Sequence, residues 1–231
     1  DRVEIDSIVS QAQVLLNTAG PFALYGDAIV EACVRNQTHY VDITGETPWV
    51  KGLIDRYHIQ AAADGTRIIP CCGFDSVPSD LGAYLLVHYL QQQELGGNCT
   101  QVKAYYQLAG GFNGGTLASG LNIYDRGELT QVSQPFLLNP PESVPTDLER
   151  HRDPISPQYD LDIETWVAPF FMGAVNTRIV RRSCALSEQW QEPYGMEFSY
   201  QEYLKFDPPW AWLQSAGMVA SLAVVAGAIS I

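Results

Sequence analysis

Three short apolar runs constrain this chain more than anything else in it, because each is followed by a loop and then by a stretch with helical periodicity. Ile5, Ile8 and Val9 at helical spacing precede the first run, Val14-Leu15-Leu16, which reads as a buried strand. Gly26 to Asn36 follows as a helix with Ile29, Val30, Cys33 and Val34 on its apolar face. His39-Tyr40-Val41-Asp42-Ile43 is the second strand, ending in Thr44-Gly45-Glu46. Trp49 to Asp64 is the next helix, with Leu53, Ile54, Tyr57 and Ala61 inward. Arg67 to Pro70 is the third strand, and a helix starting at Val77 or Pro78 runs to Gln93, with Pro and Asp80 suiting its first turn. Strands alternating with helices predict an α/β class built on a parallel sheet. Right-handed crossovers then place the loops after Asn17, Asp42 and Pro70 on one edge.

In an open α/β sheet, ligands bind beyond the carboxyl ends of the strands. Two of the three loops have the composition for it. Ile68-Ile69-Pro70-Cys71-Cys72-Gly73-Phe74-Asp75-Ser76-Val77-Pro78 runs from an apolar strand through a Gly-containing loop into a helix. Asn17-Thr18-Ala19-Gly20-Pro21 combines small residues with a strand end, so a ligand can approach the backbone and meet its N–H groups. Together they point to a dinucleotide site; an ordinary strand-to-helix turn is the competing reading of each. Asp75 is the carboxylate expected nearest a reacting carbon, or else a cap on the next helix. Asp42 and Glu46 lie at the same edge, as acid or base, as groups that orient other loops, or as caps of the helix near Thr47.

Beyond Leu95-Gly96-Gly97-Asn98 the pattern changes. Thr100 to Leu108 alternates like a half-buried strand, Gly110 to Gly115 is a Gly-rich loop, and Thr116 to Arg126 reads as a helix. The start of that helix, Gly114-Gly115-Thr116 with Ser119, is suited to a substrate or cofactor anion or is a plain loop. Residues 134–160 are rich in Pro, Asp and Ser and read as irregular; Trp166 to Trp190 reads as mostly helical and Met196 to Phe206 as a strand. The expected organisation is the C-terminal part of an incomplete parallel-sheet domain over 1–97, a smaller α+β substrate or closing domain over 98–207, and an apolar helix over 208–231. Ala211 to Ile231 has only Gln214, Ser215, Ser221 and Ser230 as polar interruptions. A membrane span, a helix buried in the protein and a lipid-seated surface helix all fit that run.

Composition closes several function classes. A net charge of −13 leaves no excess of Lys or Arg for phosphates, which argues against nucleic acid as a partner. Arg178, Arg181 and Arg182 form one basic cluster, read as a solvated helix face. Five cysteines without a CxxC pair and four scattered histidines fit a reduced, cytoplasmic setting and no metal site. Cys71 and Cys72 read as small apolar residues at a strand end or as a redox pair, and His39 and His58 as core or boundary histidines. No HExxH or GxSxG occurs.

The ordered set GPFALYGDAIVEAC, HYVDITGE, CCGFDSVPSDLG and GGTLASGLN, with APFFMGAVNTRIVRRSCAL and YGMEFSYQEY later, resembles the saccharopine dehydrogenase-like oxidoreductases, which include trans-acting enoyl reductases. The resemblance implies a Rossmann-like domain binding NADP(H) or NAD(H) and a smaller domain closing over it. It implies reduction of a C=C or C=O bond in a lipid-like or polyketide-derived substrate. Asn17, Thr18, Ala19, Gly20 and Pro21 would then line the cofactor with Phe74 and Ser76, Asp75 would act at the nicotinamide, and Gly115 and Thr116 would face substrate. With the apolar end it suggests a membrane or lipid-droplet surface as a further partner, and a sheet edge left exposed by the missing first strand would invite a second copy of the chain. The family's opening GxxGxxG-type loop and the basic residue for a ribose 2′-phosphate do not occur here, so the chain reads as an internal fragment or the product of a truncated gene model. A non-catalytic scaffold or lipid-associated binding protein is the second reading.

Overall fold

The computed structural model describes residues 1–93, 99–107, 125–195 and 197–229. They fall into two compact units, unit 1 (1–78 with 125–138) and unit 2 (79–107 and 139–229, as far as described). The class is α/β, with a parallel three-stranded sheet in one unit and a mixed four-stranded sheet in the other.

Unit 1 opens with α1 (Arg2–Val9), whose Asp1 side chain accepts the Val3 N–H as N-cap. It continues as β1 (Val14–Asn17), α2 (Phe22–Tyr25), α3 (Asp27–Asn36), β2 (His39–Asp42), α4 (Thr47–Asp64) and β3 (Ile68–Ile69). The sheet order is β1-β2-β3, with Asn17 opposite Asp42 and Val41 opposite Ile69. Helix α4 starts with Pro48 in its first turn and stops at Gly65, whose φ of 72° is a left-handed conformation that glycine adopts without strain. Val30, Cys33 and Val34 of α3 are buried as the periodicity predicts, and so are Leu53 and Ala61 of α4; Ile29, Ile54 and Tyr57 lie at the boundary. Gly26 opens α3 hard against Trp49: a Cβ there would stand 2.5 Å from the indole ring and 2.7 Å from the Phe22 carbonyl. The indole N–H donates to Asp27 at 2.7 Å, and Asp27 also pairs with Arg56. One sheet face, carrying Tyr40, is buried, whereas Val14, Leu16 and Ile69 on the other are exposed.

Helix α5 (Val77–Gln92) carries the chain past the unit boundary, and β4 (Gln101–Tyr106) follows. A further turn of helix, α6 (Leu129–Val132), belongs to unit 1. Unit 2 is completed by β5 (Gln158–Asp160), β6 (Thr165–Pro169), α7 (Gly173–Gln189), β7 (Ser199–Lys205) and α8 (Ala211–Ile229). Its sheet runs β4-β7-β6-β5, parallel between β4 and β7 and antiparallel elsewhere. Ala83 and Val87 of α5, Val180 of α7, and Tyr194, Phe198 and Tyr200 form one core cluster; Ala168, Phe170, Met172 and Leu204 form another.

Two expectations are corrected here, and the three readings of the apolar end are narrowed. Residues 165–169 are a strand rather than the start of a helix, because Thr165, Val167 and Ala168 pair into the sheet and are buried there. The arginines of α7 are not a solvated face: Arg178 and Arg181 are buried, Arg178 ion-pairs with Asp153, and Arg181 donates to the Tyr200 carbonyl at 3.3 Å. Among the described residues no helix is long and apolar enough to cross a membrane. Instead α8 lies along β6, with Ala211 and Ser215 buried, Met218 and Val219 packed against the Leu204 cluster, and Trp212 and Leu213 outside. The expected helix over 116–126 begins outside the described residues.

Candidate functional site

The carboxyl ends of β1, β2 and β3 are tied into one edge by two buried acids. Asp42 ends β2 with its side chain fully buried. One carboxylate oxygen accepts the N–H groups of Thr44 at 3.0 Å and Cys71 at 2.9 Å; the other accepts the Tyr40 hydroxyl at 2.8 Å. That hydroxyl in turn accepts from the Asn17 amide at 3.2 Å, and the Asp42 carbonyl accepts the Cys72 N–H at 2.7 Å. A single carboxylate therefore reaches the loop after β3 directly and the end of β1 through Tyr40. Burial pushes the Asp42 carboxyl upward in pKa, while its donors pull it back.

Glu46 does the same for the other side. It too is fully buried, and its two oxygens accept the N–H groups of Phe22 at 2.8 Å and Ala23 at 3.0 Å. It thus caps α2, a helix in the neighbouring loop, not the helix that follows it in sequence. Of the three roles open to Asp42 and Glu46 in the sequence, holding other loops in place is the one this geometry displays. Tyr40 was not singled out by sequence reasoning; its only signal was an aromatic hydroxyl two residues before an acid on one face of a strand.

The residues this frame presents outward are small or exposed. Thr18, Ala19 and Gly20 are exposed, Pro21 is half-buried, and Asn17 is buried beneath them. Ala19 N–H is taken by the Asn17 side chain at 3.0 Å, whereas among the described residues the N–H groups of Thr18 and Gly20 have no internal partner. In the loop after β3, Phe74 is 92% exposed, a large apolar ring held in solvent. Asp75 beside it is exposed, and Ser76 is buried with its N–H on the Gly73 carbonyl at 3.1 Å. A Cβ at Gly73 would stand 2.4 Å from an Asp75 carboxylate oxygen, so any larger residue there would push that side chain aside. Partial desolvation raises the Asp75 carboxyl pKa above the ordinary aspartate value. Cys71 sits in a left-handed conformation with φ 63°, buried, and Cys72 donates its thiol to the Ile69 carbonyl. His39 accepts the Arg67 N–H at the sheet boundary, and His58 is exposed on α4. Gly115 and Thr116 lie outside the described residues.

The dinucleotide expected at this edge would meet different chemistry at its two ends. Small exposed residues, free main-chain donors, an apolar ring and a carboxylate suit a ribose and a nicotinamide ring. The pyrophosphate is not accommodated in the same way: the first N–H groups of α2 are already occupied by Glu46, whose charge opposes a second anion there. Among the described residues no group of His, Cys, Asp and Glu could hold a metal ion.

No protein-family model matches the chain, and no solved structure matches it. Its sequence is similar to curated proteins named trans-acting enoyl reductase. One from Mycobacterium leprae is 36% identical over 244 aligned residues, covering 98% of this chain and 56% of that protein. One from Mycobacterium ulcerans is 35% identical over 243, covering 98% and 54%. One from Mycobacterium tuberculosis is 36% identical over 210, covering 86% and 49%. These names agree with the enoyl-reductase part of the resemblance drawn from the motifs. The chain spans about half the length of the curated relatives it matches.

Proposed function

We propose that this chain is the nicotinamide-side portion of an NAD(P)H-dependent reductase acting on an activated C=C bond of a lipid-like substrate. The observation that carries the reading is the single sheet edge on which Thr18, Ala19, Gly20, Phe74 and Asp75 are exposed over the buried Asn17–Tyr40–Asp42 frame. The names of the relatives support the reaction class. A nicotinamide cofactor, when bound over these loops, would supply the hydride. The chain supplies position: the Asn17–Asp42 frame fixes both loops relative to each other, Phe74 offers a face for a flat ring, and Asp75 orients or protonates the reacting group. Hydride transfer needs proximity and alignment above all, so no nucleophile is required of these residues. Gly115 and Thr116 remain the residues proposed for substrate, by resemblance alone, and cofactor choice between NADP(H) and NAD(H) is open in this reading.

The second reading is a non-catalytic scaffold of the same fold. Glu46 favours it, since its two hydrogen bonds close the first turn of α2 to a pyrophosphate. The two separate in an assay of NADPH and NADH oxidation with trans-2-enoyl thioesters. The reductase reading expects turnover that falls at least tenfold in Asp75→Ala while the urea midpoint stays in place. Unchanged turnover with intact stability removes Asp75 from the chemistry, and no turnover by the unaltered chain with any enoyl thioester favours the scaffold.

A further inference from the structure

Unit 2 holds a buried acid that none of the preceding argument uses. Glu202 of β7 is 1% exposed. Its oxygens accept the Tyr200 hydroxyl at 2.7 Å and the Asn176 amide at 3.0 Å, with the Tyr106 hydroxyl at 3.4 Å. Ser79 closes the cluster, 2.7 Å from the Tyr106 hydroxyl and accepting from Asn176 at 3.1 Å. Four side chains from α5, β4, α7 and β7 therefore gather around one carboxyl group.

Every partner in that cluster is neutral. Among the described residues no ion pair includes Glu202, and Arg178, Arg181, Lys103 and Asp80 on the elements packed around it each have another partner. Arg178 pairs with Asp153, and Lys103 of β4 with Asp160 and Asp162. Arg181 donates to the Tyr200 carbonyl, and Asp80 of α5 accepts from Ser183. The titratable groups that face Glu202 are Tyr106 from β4 and Tyr200 from its own strand, and ionising either would only add negative charge. A carboxylate without a cation is poorly tolerated at this depth, whereas a carboxylic acid carries no charge, can donate its one proton to a single hydroxyl oxygen of the cluster and still accepts from the other donors.

We propose that Glu202 is a neutral carboxylic acid that works as a proton-operated latch, joining Ser79, Tyr106 and Asn176 to β7 when protonated and loosening unit 2 when it ionises. Burial is the largest influence on its affinity for a proton and acts upward, against the pull of the hydrogen-bond donors. The sign follows from linkage. A carboxyl bound more tightly to its proton in the folded state contributes fully below the unfolded value, roughly 4.3, and its contribution is lost as pH rises through the folded value. The latch thus tightens in acid and weakens toward neutrality, opposite to an ordinary salt-bridged glutamate.

The test is a pH titration of the chain labelled with 13C at the glutamate Cδ, paired with urea unfolding of the unaltered chain and Glu202→Gln from pH 5 to 8. The latch requires a Glu202 midpoint at least one unit above the ordinary glutamate value. It also requires the unfolding constant of the unaltered chain to rise relative to Glu202→Gln by about tenfold per pH unit up to that midpoint. A midpoint at or below the ordinary value, or parallel pH profiles for the two proteins, overturns it. Should Glu202→Gln fail to fold, the carbon titration of the unaltered chain decides alone. Neither readout depends on reductase activity, so this proposal and the proposed function fail separately.

Discussion

Removing the Glu46 carboxylate is the most exacting perturbation of the sheet edge, because its two oxygens hold a helix that is distant in sequence. Glu46→Ala deletes both acceptors. The Phe22 N–H is buried and the Ala23 N–H partly so, and α2 has only four residues with which to compensate. Hydrogen bonds to a charged group are worth about 1.5–3 kcal/mol each, and an unsatisfied buried donor costs about 1–3 kcal/mol. The expected loss is therefore about 3–5 kcal/mol, a large share of the roughly 5–15 kcal/mol that holds a domain together. Glu46→Gln keeps one acceptor and turns an NH2 group against the second N–H, so about half that loss is expected. Trp49 is the one tryptophan of unit 1 and its ring lies 5.9 Å from that of Phe22. Urea unfolding followed by the 19F resonance of fluorotryptophan at position 49 therefore reports the change where it occurs. A loss below about 1 kcal/mol for Glu46→Ala, or an equal loss for both variants, would show that the carboxylate does not anchor α2 and would refute the reasoning.

The other consequences are simpler. Gly26→Ala drives a methyl group into the Trp49 ring and the Phe22 carbonyl, and thermal unfolding should reveal an overpacking cost of about 1–3 kcal/mol with the indole N–H exchanging faster. His151 is buried near Arg181 and Arg150; desolvation first, then these cations, hold its pKa down at about 4. Since its folded pKa is depressed, the unfolded chain takes the proton first, so stability should fall as pH drops from about 6.5 toward 4. His151→Gln should flatten that limb of a urea-midpoint profile, and an unchanged limb would contradict the assignment.

Local periodicity made unit 1 legible and left unit 2 half hidden. The strands and helices from Val14 to Ile69 follow one another as β1, α2, α3, β2, α4 and β3, with the strands paired in that order, so the apolar positions of α3 and α4 announce both element and face. In unit 2, β4 pairs in parallel with β7 across nearly a hundred residues, a partnership no local pattern encodes. Trp166 to Pro169 reads as helix in the sequence because the apolar stretch runs straight into α7, and only pairing with β7 separates the two. Arg178 and Arg181 look like a surface in sequence, since nothing in their spacing reveals that Asp153 arrives to neutralise one of them. The candidate site divides in the same way. The loops at Asn17–Pro21 and Gly73–Ser76 were readable from small residues at strand ends. Which donors those loops keep free was not, because Glu46 takes the first turn of α2 from twenty-three and twenty-four residues away. Glu202 did leave a trace: alternation in β7 places it on the face shared by Tyr200 and Leu204, an acid among inward residues.

The most direct measurement is amide chemical-shift mapping of the 15N-labelled chain with NADPH, NADH and reduced nicotinamide mononucleotide. The account predicts saturable shifts confined to Thr18, Gly20, Gly73, Phe74 and Asp75, with the mononucleotide reproducing most of what the dinucleotides do. Saturable binding elsewhere, or no shift at this edge at millimolar ligand, would contradict a nicotinamide site formed by the loops after β1 and β3.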